Sequence, residues 1–275
     1  MLNLLGIGPG TSTTNMHQVI CTDALKLLST IDYVRMIMAD PPDNIGLKYA
    51  TYKDKKATKD YRDWLAQVIE LATAKCDIFW LSYNAKWTFA VGRIVSELMD
   101  KYQGLQAKPC VQVFTFGQHN QHDLGNNHRP LVRITQENTV LYPDAIRVPA
   151  WRQEHGDSRA DPRGRVPSDV FDVPRVTGNS KERRSWHPTQ LGERLVERCV
   201  KLSCQPYDTV VDPFAGTGTT LRVCKRLGVS CTTSDIDPEY CKKIAEENNL
   251  QPAITNFWPN GRWYAGNGTG LAHGV

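Results

Sequence analysis

The chain has 275 residues, 40% of them hydrophobic, with 33 basic and 29 acidic side chains giving a net charge of +4. That is enough apolar material for one large domain, and no uninterrupted apolar run reaches the roughly 18 residues that span a bilayer. Met1–Gly10 has no basic flank before its short apolar stretch, so no signal peptide is expected, and the eight cysteines form no Cys-x-x-Cys pair. Reduced, buried thiols in a soluble cytoplasmic protein of prokaryotic or phage type are expected, with no metal site.

Strand and helix signals alternate along the chain, which predicts an α/β sheet protein. His17–Cys21 reads as a short strand and Asp23–Leu28 as a helix. Val34–Ala39 is a strongly apolar strand stopped by Pro41 and Pro42. A helix follows over Tyr61–Thr73, then a strand over Asp77–Ser82 and a helix over Thr88–Tyr102. Val111–Phe116 and Leu131–Thr135 read as strands. From about Arg147 to Trp186 the chain turns irregular and rich in Arg, Asp, Pro and Gly, a length of loop that is usually functional. Regular structure returns with a helix whose first turn Pro188 suits, its apolar face marked by Leu191, Leu195, Val196, Cys199 and Val200. Thr209–Val211 is a buried strand, Thr219–Leu227 a helix closed by Gly228, and Val229–Ser234 a strand. Asp237-Pro238 supplies the cap and first position of a last helix. Phe257 onward carries no readable signal.

Asp212-Pro213-Phe214-Ala215-Gly216-Thr217-Gly218-Thr219-Thr220 leaves a strand and enters a helix. Gly216 and Gly218 permit a tight turn and close approach of a ligand, and the free amides at the helix start suit an anionic group. Asp235 ends the next strand, 23 positions after Asp212, where an acid commonly takes ribose hydroxyls. The spacing fits neither the dinucleotide fingerprint nor a Walker loop.

Asp40-Pro41-Pro42-Asp43 follows the strand over 34–39. Methylation of an aromatic amine suits these residues. The lone pair of such an amine is delocalised into the ring, and acceptors on both N–H bonds favour a more pyramidal, more nucleophilic nitrogen. The Asp40 carboxylate can be one acceptor and the Pro41 carbonyl the other, with the prolines fixing the turn. Either motif alone also fits a purely structural turn. Together they are specific.

These residues resemble the circularly permuted β class of DNA amino-methyltransferases, the N-4 cytosine and N-6 adenine methylases, in which an Asp-Pro-Pro-Tyr loop precedes the cofactor loop. His187-Pro188-Thr189-Gln190, Asp235-Ile236-Asp237-Pro238-Glu239-Tyr240 and Thr22-Asp23-Ala24-Leu25 are similar to further segments of that family. The resemblance spans about His17 to Leu250. It implies a Rossmann-like, S-adenosylmethionine-dependent methyltransferase sheet in one domain over 1–275, with a target-recognition insertion at 147–186. It implies transfer to an exocyclic amine of a flipped base in double-stranded DNA, most often adenine N6 where the loop begins with Asp. It also implies a cofactor site: Phe214, Ala215, Gly216 and Gly218 along the methionine part, Thr219 or Thr220 near its carboxylate, Asp235 on the ribose, Asp23 at the adenine amine, and His187 and Thr189 bordering the pocket, with Asp212 opening the loop. Arg163, Arg165, Arg175, Arg183 and Arg184 would contact DNA.

The fourth loop position departs from the family: Asp43 stands where an aromatic usually stacks on the base. Stacking then falls to Tyr49, Tyr52, Trp80 or Tyr83, while Asp43 faces solvent or contacts an unusual base. Alternatives stay open: cytosine N4 as acceptor, an RNA or protein amine, a non-catalytic DNA-binding relative, and a homodimer. Gly6-Ile7-Gly8-Pro9-Gly10 and Pro109-Cys110 imitate a cofactor loop and a cytosine-C5 catalytic dipeptide. Neither has the flanking elements it needs. His119, His122 and His128 read as polar loop residues near the base or DNA rather than metal ligands.

Overall fold

A computed structural model describes residues 15–118 and 120–251. The Gly6–Gly10 decoy, His119 and the segment from Phe257 lie outside those residues. Eight strands form one sheet: β1 (His17–Cys21), β2 (Val34–Ala39), β3 (Cys76–Ser82), β4 (Leu105–Gln118), β5 (Asn126–Gln136), β6 (Val170–Asp172), β7 (Thr209–Asp212) and β8 (Ser230–Asp235). Their spatial order is β1-β8-β7-β2-β3-β5-β4-β6. The run from β1 to β3 is parallel, β5 is antiparallel to both β3 and β4, and β6 lies parallel to β4 at the edge.

Alternation along the central strands sorts side chains onto two buried faces. Ile37, Phe79, Leu81 and Val211 enter one core with α1 (Ala24–Thr30), α2 (Thr58–Ala74) and α3 (Thr88–Lys101). Met36, Met38, Ile78, Trp80 and Val210 enter the other, with α5 (Glu193–Ser203), α6 (Thr219–Leu227) and α7 (Pro238–Glu247). Burial on both faces is why the Met36–Ala39 part of β2 reads as an apolar run. A single turn of helix, α4 (Trp151–Glu154), lies in the irregular segment.

The connection from β7 through α6 leads to β8 on one side, and that from β2 through α2 leads to β3 on the other. Strands β7 and β2 are neighbours, with Val211 beside Ile37, so the chain reverses direction across the sheet between them. Ligands of open α/β sheets bind at the carboxyl ends of strands at such a switch point. Asp212 ends β7, and Asp40 follows β2 directly.

Three expectations are corrected. The helix placed at Pro188 starts at Glu193, because residues 187–191 are held as a non-helical wall of the cavity described below. The strands placed at 111–116 and 131–135 are arms of one longer hairpin, β4–β5, whose polar outer residues mask its length in a hydrophobic pattern. The irregular stretch contributes a sheet strand, β6, signalled only by Val170 and the buried Phe171.

Candidate active site

One cavity of about 590 Å³ opens at the switch point, and both sequence motifs line it. Asp40, Pro41, Pro42 and Asp43 come from the loop after β2, Asp212 from the end of β7, Phe214, Ala215 and Gly216 from the loop after it, and Thr219 and Thr220 from the first turn of α6. Asp235 at the end of β8, Asp23 before α1, and His187 and Thr189 before α5 complete that part of the wall.

The glycine loop is built by its neighbours. Asp212 accepts the Phe214 amide at 2.9 Å, and Asp235 accepts the Gly216 amide at 3.0 Å and the Asp237 amide at 3.0 Å. Gly216 and Gly218 both have left-handed backbones, at φ +52° and +73°. Gly216 faces the cavity; a Cβ there would meet the His187 ring at 3.4 Å. Gly218 caps α6 behind the loop, off the cavity wall and against α7, where a Cβ would run into Ile244. Asp23 lines the cavity while capping α1, accepting the Leu25 amide at 2.9 Å.

Burial dominates the acids. Desolvation pushes the Asp212 carboxyl up to about 7 and the Asp235 carboxyl up to about 6, against hydrogen bonds that pull both down. Burial pulls the His187 imidazole below its ordinary value, favouring the uncharged ring, and its Nδ1 lies 2.5 Å from the Thr189 carbonyl. Over this side lies the segment after Asp43. Tyr49 packs edge-on against His187 at 5.5 Å, and the Ala50 amide donates to the Tyr240 hydroxyl at 3.2 Å. Asp54 holds that segment, its carboxylate accepting the amides of Asn44, Ile45, Gly46 and Leu47.

The Asp40–Asp43 loop is pinned from outside: the Tyr61 hydroxyl donates to the Pro42 carbonyl at 2.6 Å and the Trp87 indole to the Asp43 carbonyl at 2.7 Å. Asp43 neither faces solvent nor stacks. It is buried, paired with Arg129 of β5, which also reaches Asp40. Arg129 went unread in the sequence, although a buried acid in place of an aromatic requires a cation nearby. Of the four expected stacking residues, Trp80 and Tyr83 are buried, Trp80 donating to Ser203 Oγ, while Tyr49 and Tyr52 line the cavity. Phe114 of β4 lines it too, with the Arg175 guanidinium 5.2 Å from its ring centre.

The expected DNA-contacting arginines divide. Arg163 and Arg165 are exposed, Arg163 pairing with Asp161 and Asp144. Arg175 is exposed at the cavity. Arg183 and Arg184 face inward: Arg183 donates to the His187 carbonyl at 2.6 Å, and Arg184 pairs with Glu247 at 2.7 Å. These two brace the 184–190 wall. Cys110 lies on β4 with its thiol pushed up by burial, which argues against a nucleophile. Among the described residues no His/Cys/Asp/Glu cluster is arranged for a metal, no cysteine is in a disulfide, and no helix is long and apolar enough to cross a membrane.

The model of the N6/N4 methyltransferase family, described as DNA methylase, matches residues 34–247. The chain belongs to this family. It is an S-adenosylmethionine-dependent DNA methyltransferase acting on a base amine. It is 33% identical over 254 residues to the type II methyltransferase M1.MboII of Moraxella bovis, covering 82% of this chain and 92% of that one. It is 29% identical over 248 residues to the DNA adenine methyltransferase YhdJ of Escherichia coli K12, covering 82% and 80%. Among solved structures, the cytosine-N4-specific PvuII DNA methyltransferase superposes with a TM-score of 0.64 at 15% identity, covering 85% of this chain and 86% of that one. The permuted, Rossmann-like sheet is therefore the family fold.

Proposed function

We propose that this DNA methyltransferase acts on adenine N6, with Asp40 as the carboxylate acceptor for the amine. The observation that carries this reading is the meeting of Asp40 and the glycine loop in one cavity at the switch point. The residues fit the cofactor. Buried acids face the cavity, and two buried polar atoms on its wall, Tyr52 Oη and Asp237 Oδ2, have no partner within the protein. Such groups suit a ligand bearing hydroxyls and positive charge. Asp235 would hold the ribose hydroxyls, Asp23 the adenine amine, Phe214 to Gly216 the methionine portion, and Thr219 and Thr220 its carboxylate, with His187 and Thr189 closing the rim. S-adenosylmethionine supplies an electrophilic methyl group. Asp40 and the Pro41 carbonyl hold the two N–H bonds of the target amine and direct its lone pair, and Asp40 stabilises the charge that develops on nitrogen.

Adenine is favoured over cytosine N4 by the acid at the head of the loop; the names of the relatives include both specificities. Double-stranded DNA is the partner, entered by extruding the base. The segment 147–186, with exposed Arg163, Arg165 and Arg175, serves as its recognition surface. In the test, tritiated S-adenosylmethionine is incubated with unmethylated plasmid DNA, and the product nucleosides are separated. Label in N6-methyladenine, lost in Asp40→Ala with cofactor affinity retained, supports the reading. Label in N4-methylcytosine, or an active Asp40→Ala enzyme, overturns it.

A further inference from the structure

The catalytic loop is held by a buried ion cluster that the acceptor role of Asp40 does not require. Arg129 Nη2 lies 2.6 Å from Asp40 Oδ1 and 3.0 Å from Asp43 Oδ1, and its Nη1 lies 3.2 Å from Asp43 Oδ2. Its Nε donates to Ser82 Oγ at 2.7 Å, and Ser82 in turn hydrogen-bonds the Asp40 carboxyl. Asn84 Nδ2 adds a contact to Asp43 Oδ2 at 3.3 Å. Three side chains from two elements thus converge on the Arg129 guanidinium of β5: Asp40 and Asp43 from the loop after β2, and Ser82 from the end of β3.

The geometry is directional. Asp43 takes both arms of the Arg129 fork, which fixes the plane of the guanidinium. The remaining reach of Nη2 is spent on one oxygen of Asp40. That rotation holds the Asp40 carboxylate in one orientation and opposes the effect of burial on its charge. We propose that Arg129 is the positioning residue of the acceptor, and that Asp43, standing where relatives carry a stacking aromatic, serves to hold Arg129. The inference rests on the acceptor role given to Asp40 above.

The groups facing Asp40 are Asp43 on its own loop, Ser82 from β3, Arg129 from β5, Asp212 from β7 and Tyr49 from the covering segment; Lys86 and His128 stand farther along the same wall. Burial raises the Asp40 carboxyl first, Arg129 lowers it and Asp43 raises it. Removing the cation and removing the second acid therefore push Asp40 in opposite directions. Burial pushes the neighbouring Asp212 carboxyl up to about 7, but neither change touches it, so a limb belonging to Asp212 would stay in place.

The experiment measures single-turnover methyl transfer to unmethylated plasmid DNA across a pH series, using the full chain as wild type, Arg129→Met, Arg129→Lys and Asp43→Asn. Cofactor affinity is measured by calorimetry on each. In Arg129→Met the expected rate falls about tenfold or more and the acidic limb moves up by about one unit. Arg129→Lys restores part of the rate, because it keeps the charge without the fork. Asp43→Asn moves the limb down. Cofactor affinity stays within about threefold of wild type in all, near 0.6 kcal/mol and small against the rate loss. An Arg129→Met enzyme with wild-type rate and limb overturns the proposal. Should that variant fail to fold, an unmoved limb in Asp43→Asn overturns it. Wild-type protein that transfers no methyl group, or remains active as Asp40→Ala, instead refutes the acceptor role itself.

Discussion

Gly218 and Gly228 bracket α6 with nearly the same backbone, φ +73° and +67°, and only one of them should be hard to replace. An alanine at either position adopts a left-handed conformation, which costs about 1–2 kcal/mol. At Gly228 the added Cβ meets only Asn15 Nδ2 at 3.6 Å, an ordinary contact. At Gly218 it would lie 2.7 Å from Ile244 Cγ2 and 3.2 Å from Cγ1, and Ile244 is fully buried in α7. Overpacking of that kind adds about 1–3 kcal/mol. Gly218→Ala is therefore expected to destabilise by about 2–5 kcal/mol and Gly228→Ala by about 1–2 kcal/mol. Urea unfolding gives both values. The double variant Gly218→Ala/Ile244→Ala should then cost about 1–3 kcal/mol less than the sum of the singles, since Ile244→Ala removes the atoms in the way. Equal costs at the two glycines, with additive behaviour at Ile244, would show that the glycine loop does not rest on α7.

Two further outcomes follow from the same cavity. Asp54→Ala, which strands the amides of residues 44–47, should destabilise by about 2–4 kcal/mol and weaken cofactor binding through the Tyr49 segment; thermal unfolding and calorimetry decide it, and an unchanged affinity would detach that segment from the cofactor. Asp235 and Asp212 are held at about 6 and about 7, above the value of a free carboxyl, so the ligand-free protein loses stability as pH rises through that range. A cationic ligand favours their ionised forms, so S-adenosylmethionine should bind more tightly at about pH 8 than at about pH 5 and release protons on binding. Calorimetry in buffers of different ionisation enthalpy reads the proton count, which Asp235→Asn should lower; a pH-independent affinity would contradict the acids' role.

Most of the fold could be read because its signals are local. The β2 strand, the α6 helix with its Gly228 stop, and the Asp237-Pro238 start of α7 were foreseen to within a residue or two, each marked by burial periodicity or a capping residue. What escaped is non-local. The true start of α5 depends on residues 184–190 being held by Arg183, Arg184 and Gln190. Strand β6 has three residues and exists because β4 lends it an edge. Arg183 and Arg184 looked like DNA contacts by composition, and only the packed chain shows their partners.

The same distinction explains Asp43. Judged along the chain, an acid in a position that should be aromatic looks like decay of the site. In three dimensions the position is tied to Arg129, 86 residues later, whose Nε in turn donates to Ser82 of the neighbouring β3. A lone Asp43→Tyr change would restore the family pattern and leave Arg129 with a single carboxylate, so the substitution makes sense only together with its cation. The two motifs that identify the chemistry are separated by more than half the chain and meet because β2 and β7 are neighbours at the one place where the sheet reverses. On the reading proposed above, the orientation of Asp40 at that meeting point depends on Arg129 of β5, an element with no motif of its own.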